Sequence, residues 1–113
     1  MSGSRKVELL QGTLDLLILR TLSIGPSHGH AIAKHIQRTS EDLLKVETGS
    51  LYPALHRLEA AGWIDAKWEI SEKGKRAKYY RLLPRGKKHL AREQNKWETF
   101  ARAMGLVLDQ ETT

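Results

Sequence analysis

A mainly α domain with one small β-hairpin is the fold class this sequence predicts. Three observations lead there. Apolar residues keep helical spacing in three stretches between Leu9 and Gly62, a two-residue alternation takes over from Trp63 to Leu83, and helical spacing returns after Pro84. At 113 residues, the chain has room for a single core.

The first helix rests on Leu10, Leu14, Leu17, Ile18 and Leu22, with Leu9, Leu16 and Leu19 widening the stripe. A helix so apolar should be buried on more than one side. It does not read as a membrane span, because it falls short of the roughly 20 apolar residues required and Asp15 and Arg20 interrupt it. Ser23-Ile24-Gly25-Pro26-Ser27 breaks the helix, and Ala31, Ile32 and Ile36 set a second, short amphipathic one, with His28 as a turn-stabilising side chain at its start.

After a loop through Glu41 to Glu47, a third helix should open at Thr48, a good N-cap, and stop at Gly62. Leu51, Leu55 and Leu58 give its core face, and Gly49, Pro53, His56 and Ala60 lie opposite, flanked by Tyr52 and Arg57. Pro53 requires a place in about the first turn, where a missing N–H is tolerated.

From Trp63, Ile64, Ala66, Trp68 and Ile70 fall on one face of a half-buried strand, with Asp65, Lys67 and Glu69 on the other. Residues 71–77 form a turn around Gly74, and Lys78 to Leu83 return as a strand with Tyr80 and Leu82 inward and Tyr79 free. Pro84 opens a last helix, in which Leu90, Trp97 and Met104, and Phe100 and Val107, repeat at intervals near seven.

The formal net charge is +6, yet ten basic and only two acidic residues lie between Lys67 and Arg92. Clustered Lys and Arg gain by displacing counterions from phosphates, and the plainer alternative is a solvated basic face. Three helices followed by a hairpin describe a winged helix-turn-helix, whose third helix enters the DNA major groove while the hairpin tip reaches the backbone or the minor groove. The order of elements thus accounts for the charge map. Ser50, Tyr52, Pro53, His56 and Arg57 are assigned to sequence choice, with Tyr52 and His56 equally placed to hold phosphates, and Lys73, Gly74, Lys75, Arg76 and Lys78 to the phosphates.

Residues 1–83 are expected to form the DNA-binding winged helix, and 84–113 a C-terminal dimerisation helix and tail. Trp97, Phe100, Met104 and Val107 would leave an apolar stripe in water on a monomer. They are assigned to a homodimer interface, packed on Leu10, Leu14 and Leu17 of the partner's first helix.

The runs Leu10-Gln11-Gly12-Thr13-Leu14-Asp15, Ser27-His28-Gly29-His30-Ala31-Ile32, Gly49-Ser50-Leu51-Tyr52-Pro53-Ala54-Leu55-His56-Arg57-Leu58-Glu59 and Lys78-Tyr79-Tyr80-Arg81-Leu82 resemble the PadR family of bacterial transcriptional regulators. The resemblance runs from residue 9 to about 108 and points to the small members that dimerise through one helix after the wing. It implies a homodimeric repressor on a palindromic operator, released by an effector in some members. Because some of these bind flat aromatic compounds between their terminal helices, Trp97 has a second reading as the wall of an effector pocket. The chain departs from the family at His30, where Tyr is frequent, and at Leu83, where Thr often caps the last helix.

Rival chemistry finds little support. His28, His30 and His35 lack the spacing of a metal set, and no cysteine or carboxylate cluster completes one. No nucleophile motif or phosphate-binding loop is present, so neither an enzyme nor a cofactor is expected. Tyr79 and Tyr80 offer too few platforms for single-strand stacking. A protein-docking winged helix and a non-specific nucleic-acid binder stand as rival functions. With no cysteine to form disulfides, the expected setting is soluble and cytoplasmic, with double-stranded DNA and a second copy as partners and no membrane.

Overall fold

Helix α1 (Thr13–Leu22) lies at the centre, as its excess of leucine requires, in contact with α2 (Gly29–Thr39), α3 (Thr48–Ala60) and α4 (Pro84–Leu108). Leu14, Ile18, Leu19 and Leu22 are buried, and Leu16 and Leu17 pack partly against the same core. The computed structural model describes residues 12–110, so Leu9, Leu10 and Gln11 lie outside the described residues. Three neighbouring helices use the apolar wrap of α1 within the chain, and Leu14 lies in the core that they share.

His28 has extended backbone, and its Nδ1 accepts the Ala31 N–H at 3.2 Å, which makes it the N-cap of α2. Together with Ser27 it forms a two-residue strand, β1 (Ser27–His28), for which the sequence pattern gives no sign. β1 pairs antiparallel with β3 (Arg76–Leu82), which also pairs antiparallel with β2 (Ile64–Ile70), giving the order β1-β3-β2. The expected hairpin is thus part of a three-stranded sheet. Tyr79 is not free: it is half-buried, opposite His28 in register and edge-on to the His28 ring at 5.4 Å.

Helix α3 starts one residue earlier than expected. Glu47 is its N-cap, without a side-chain bond, and Thr48 is the first helical residue. Pro53 consequently falls in the second turn, where it cannot donate to the Gly49 carbonyl; both residues lie on the exposed face, where a helix tolerates that loss best. Leu51, Ala54, Leu55 and Leu58 are buried. Gly62 closes the helix with φ +81°, its N–H bonded to Glu59 and that of Trp63 to Leu58.

The face of β2 expected to be half-buried is covered only at its base. Ile64 is buried and Ala66 partly so, whereas Trp68 and Ile70 are exposed, because the hairpin runs out past the helices it would pack on. Its turn is shorter than residues 71–77: Arg76 and Ala77 already lie in β3. Gly74 sits at φ +75° with its N–H on the Ser71 carbonyl at 2.9 Å, a backbone conformation that favours glycine.

Leu83 is the N-cap of α4 and makes no side-chain bond, with Pro84 in the first turn. The root of α4 locks onto Trp63. His89 stacks on the indole at 3.5 Å between centroids, the Leu83 N–H reaches the Trp63 carbonyl at 3.0 Å, and Gly86 lies so close that a Cβ there would meet that carbonyl oxygen. Leu90 is buried in the core and is not part of an exposed seam, so the first two turns of α4 belong physically to the winged helix. Beyond Leu90 the described helix buries no residue. The radius of gyration, 16.2 Å, exceeds the value near 13 Å for a compact chain of this size, as a projecting helix requires.

Candidate nucleic-acid interface

Because α3 turns its leucines inward, Ser50, Tyr52, Pro53, His56 and Arg57 all stand on the exposed side. They are not equally free. Tyr52 lies against the first turn of α2, where a Cβ on Gly29 would come within 2.7 Å of its hydroxyl. Arg57 is held by Asp15 of α1, with an Nη2 to Oδ1 distance of 2.8 Å, yet the guanidinium side chain is still 60% exposed. One pairing uses only part of its five-donor fork, so Arg57 can meet another anion without first releasing Asp15.

The wing divides its cations by face and by height. At the turn, Lys73 and Lys75 are exposed and form no ion pair among the described residues, and Gly74 between them leaves open space. Lower down, Lys78 reaches Glu59 of α3 at 3.5 Å and lies over the Tyr80 ring, which joins the root of the wing to α3. Arg76 stacks on Trp68. On the outer face Arg81 grips its cross-strand partner Asp65 with two bonds, at 2.6 and 3.1 Å, which holds the Asp65 carboxyl below the ordinary carboxylate range. Tyr80, buried beside Glu59, has its hydroxyl pushed up mainly by desolvation.

Of the ten basic residues of the positive stretch, Lys78 and Arg81 are thus paired on folding, whereas Lys73 and Lys75 at the tip, Lys67 of β2 and Arg85, Lys87, Lys88 and Arg92 of α4 form no ion pair among the described residues. Asp15 joins this site without having been expected there. Its signal in the sequence is a lone acid interrupting an apolar helix, with nothing in the local spacing to name Arg57, 42 residues away, as its partner. Among the described residues, no three His, Asp or Glu side chains gather as a metal site.

A profile of the PadR-like transcriptional regulator family matches residues 18–92. The chain belongs to that family. A transcriptional regulator of Mycobacterium tuberculosis is 30% identical over 95 residues, which span 84% of this chain and 85% of that protein. Among solved structures, a transcriptional regulator from Clostridium thermocellum superposes with a TM-score of 0.77 at 33% identity, covering 84% of this chain and 92% of its own. A PadR family regulator from Clostridium difficile gives 0.75 at 31% identity, covering 86% and 99%. DNA binding is expected of PadR regulators, and the winged helix with a long last helix is their architecture. No helix among the described residues is long and apolar enough to cross a membrane.

Proposed function

We propose that this PadR-family protein is a homodimeric repressor that occupies a pseudo-palindromic operator and blocks transcription by excluding polymerase. The observation that carries this reading is the exposed face of α3, with Ser50, Tyr52, Pro53, His56 and Arg57 outward, tied through Glu59 and Lys78 to a wing whose unpaired Lys73 and Lys75 crown its tip. The helix supplies base contacts and the tip supplies phosphate contacts. Lys78, held by Glu59, acts chiefly as a strut.

Dimerisation is assigned to the projecting part of α4, where Trp97, Phe100, Met104 and Val107 are between 40% and 70% exposed along one stripe. Trp97 and Phe100 have ring centroids 5.9 Å apart, and this aromatic pair is the candidate wall for a flat apolar effector bound within the dimer seam. Selection of bound fragments from a random DNA pool tests the reading. A shared motif of two half-sites related by a dyad is expected. Equal retention of all sequences favours a non-specific binder, and no duplex binding at low salt favours a docking module.

A further inference from the structure

The face of the hairpin that carries Tyr80 continues, above the core, into a surface on which Trp68 and Ile70 have no role in the contacts proposed above. Trp68 and Ile70 are 55% and 69% exposed, and the register sets Lys78 opposite Trp68 and Arg76 opposite Ile70. The Arg76 guanidinium lies 4.9 Å from the Trp68 ring centre. Strand alternation sends Asp65, Lys67 and Glu69 to the other face. What remains is an aromatic ring and an isoleucine beside Arg76, which forms no ion pair among the described residues, and Lys78, which Glu59 of α3 already pairs.

An apolar patch of this kind next to fixed positive charge needs a partner that is itself anionic and apolar in alternation. The sugar–phosphate edge of a duplex is such a partner, with phosphate oxygens for Arg76 and a deoxyribose face for the indole. A second copy fits poorly, because a two-fold contact through this face would bury the Arg76 guanidinium of each copy on a strand face that offers it no carboxylate.

We infer that Trp68 and Arg76 form a backbone clamp on duplex DNA, in which the indole holds the guanidinium in place for a phosphate and packs on the adjoining sugar. The clamp rests on the DNA-binding reading above and adds to it a contact that is blind to sequence. The ring acts partly as a positioning residue for Arg76, so its test separates apolar from ionic loss.

Trp68→Ala should weaken binding to the selected operator and to a mixed-sequence duplex by the same factor, about tenfold for a desolvated cation–aromatic contact. Its slope of log affinity against log salt should stay near that of the wild type, whereas Arg76→Ala should lose about one unit of slope. The double variant should lose less than the sum of the two. Trp68→Phe, which keeps a ring, should restore most of the affinity. Because Trp68 is exposed, the thermal midpoint of Trp68→Ala should not move, and this control excludes misfolding. Wild-type affinity of Trp68→Ala on both duplexes overturns the clamp alone. Loss of the dimer in sedimentation of Trp68→Ala, with DNA binding by the remaining dimer unchanged, overturns it in favour of contact between copies. Failure of the wild type to bind either duplex at low salt overturns the DNA reading itself, and the clamp with it.

Discussion

Gly86 shows how much one hydrogen atom can decide. The first turns of α4 approach the start of β2 so closely that a methyl group at this position would strike the Trp63 carbonyl and come within 2.7 Å of Leu82 Cδ1. A backbone carbonyl cannot rotate away as a side chain can. Gly86→Ala should therefore lift α4 off Trp63 and destabilise the fold by about 1–3 kcal/mol, the usual cost of overpacking, read as a lower urea midpoint. Asp65 offers a test in pH. Its carboxyl is held low by the Arg81 hydrogen bonds, so the folded state binds that proton more weakly than the unfolded chain does. The stability this pair contributes is complete above the ordinary carboxylate pKa and disappears as pH falls through the lowered folded value. The unfolding free energies of the wild type and Asp65→Asn should accordingly differ at neutral pH and converge in acid. A difference that persists at the acid end would show that the Asp65 charge is not its source.

Two elements divide the proposed DNA contact, and they should fail differently. Lys73→Ala with Lys75→Ala frees phosphates at the tip, so affinity should fall on every duplex and the salt slope should shrink by about one unit for each phosphate no longer neutralised. Arg57→Ala should cost about 1–3 kcal/mol on the operator and little on mixed sequence if its free N–H groups read a base edge. Equal loss on both duplexes makes Arg57 a phosphate clamp. The α3 face was legible because leucines three and four residues apart can share only one side of a helix, which fixes what lies opposite. Gly62 was legible for a similar reason, since the left-handed position after a helix favours glycine. The end of α2 was not: Glu41 and Asp42 both take that conformation, at φ 55° and 64°, and of the two only aspartate favours it among non-glycine residues. Nor could alternation alone say where along β2 burial stops. Trp68 and Ile70 have the correct face and the wrong depth, because depth depends on how far the helices reach beneath the sheet. β1 leaves no signal in the sequence because a two-residue strand carries no period, and its strand character comes from pairing with β3.

At the scale of the whole molecule, α4 sets a constraint that neither the core nor the wing can satisfy. A helix of 25 residues is roughly 37 Å long, and its first two turns suffice to close the domain at Leu90. The remainder carries Trp97, Phe100, Met104 and Val107 into solvent, a stripe with the spacing of a helix-packing seam. If two such helices pair, the separation and orientation of the two α3 faces are fixed by the same contact, since Gly86, His89 and Leu90 leave the root of α4 no freedom against the winged helix. Dimer stability and operator affinity must then fall together. Met104 is 44% exposed in the single chain, so Met104→Asp should fold normally and show an unchanged thermal midpoint when diluted to monomer. In a dimer it would bury two carboxylates near one another, and sedimentation should show mostly monomer at micromolar protein. Operator binding should drop by far more than binding to a single half-site, because only the first depends on holding two recognition helices in register. A Met104→Asp protein that remains dimeric, or one that turns monomeric yet keeps full operator affinity, would place the pairing surface elsewhere on the molecule.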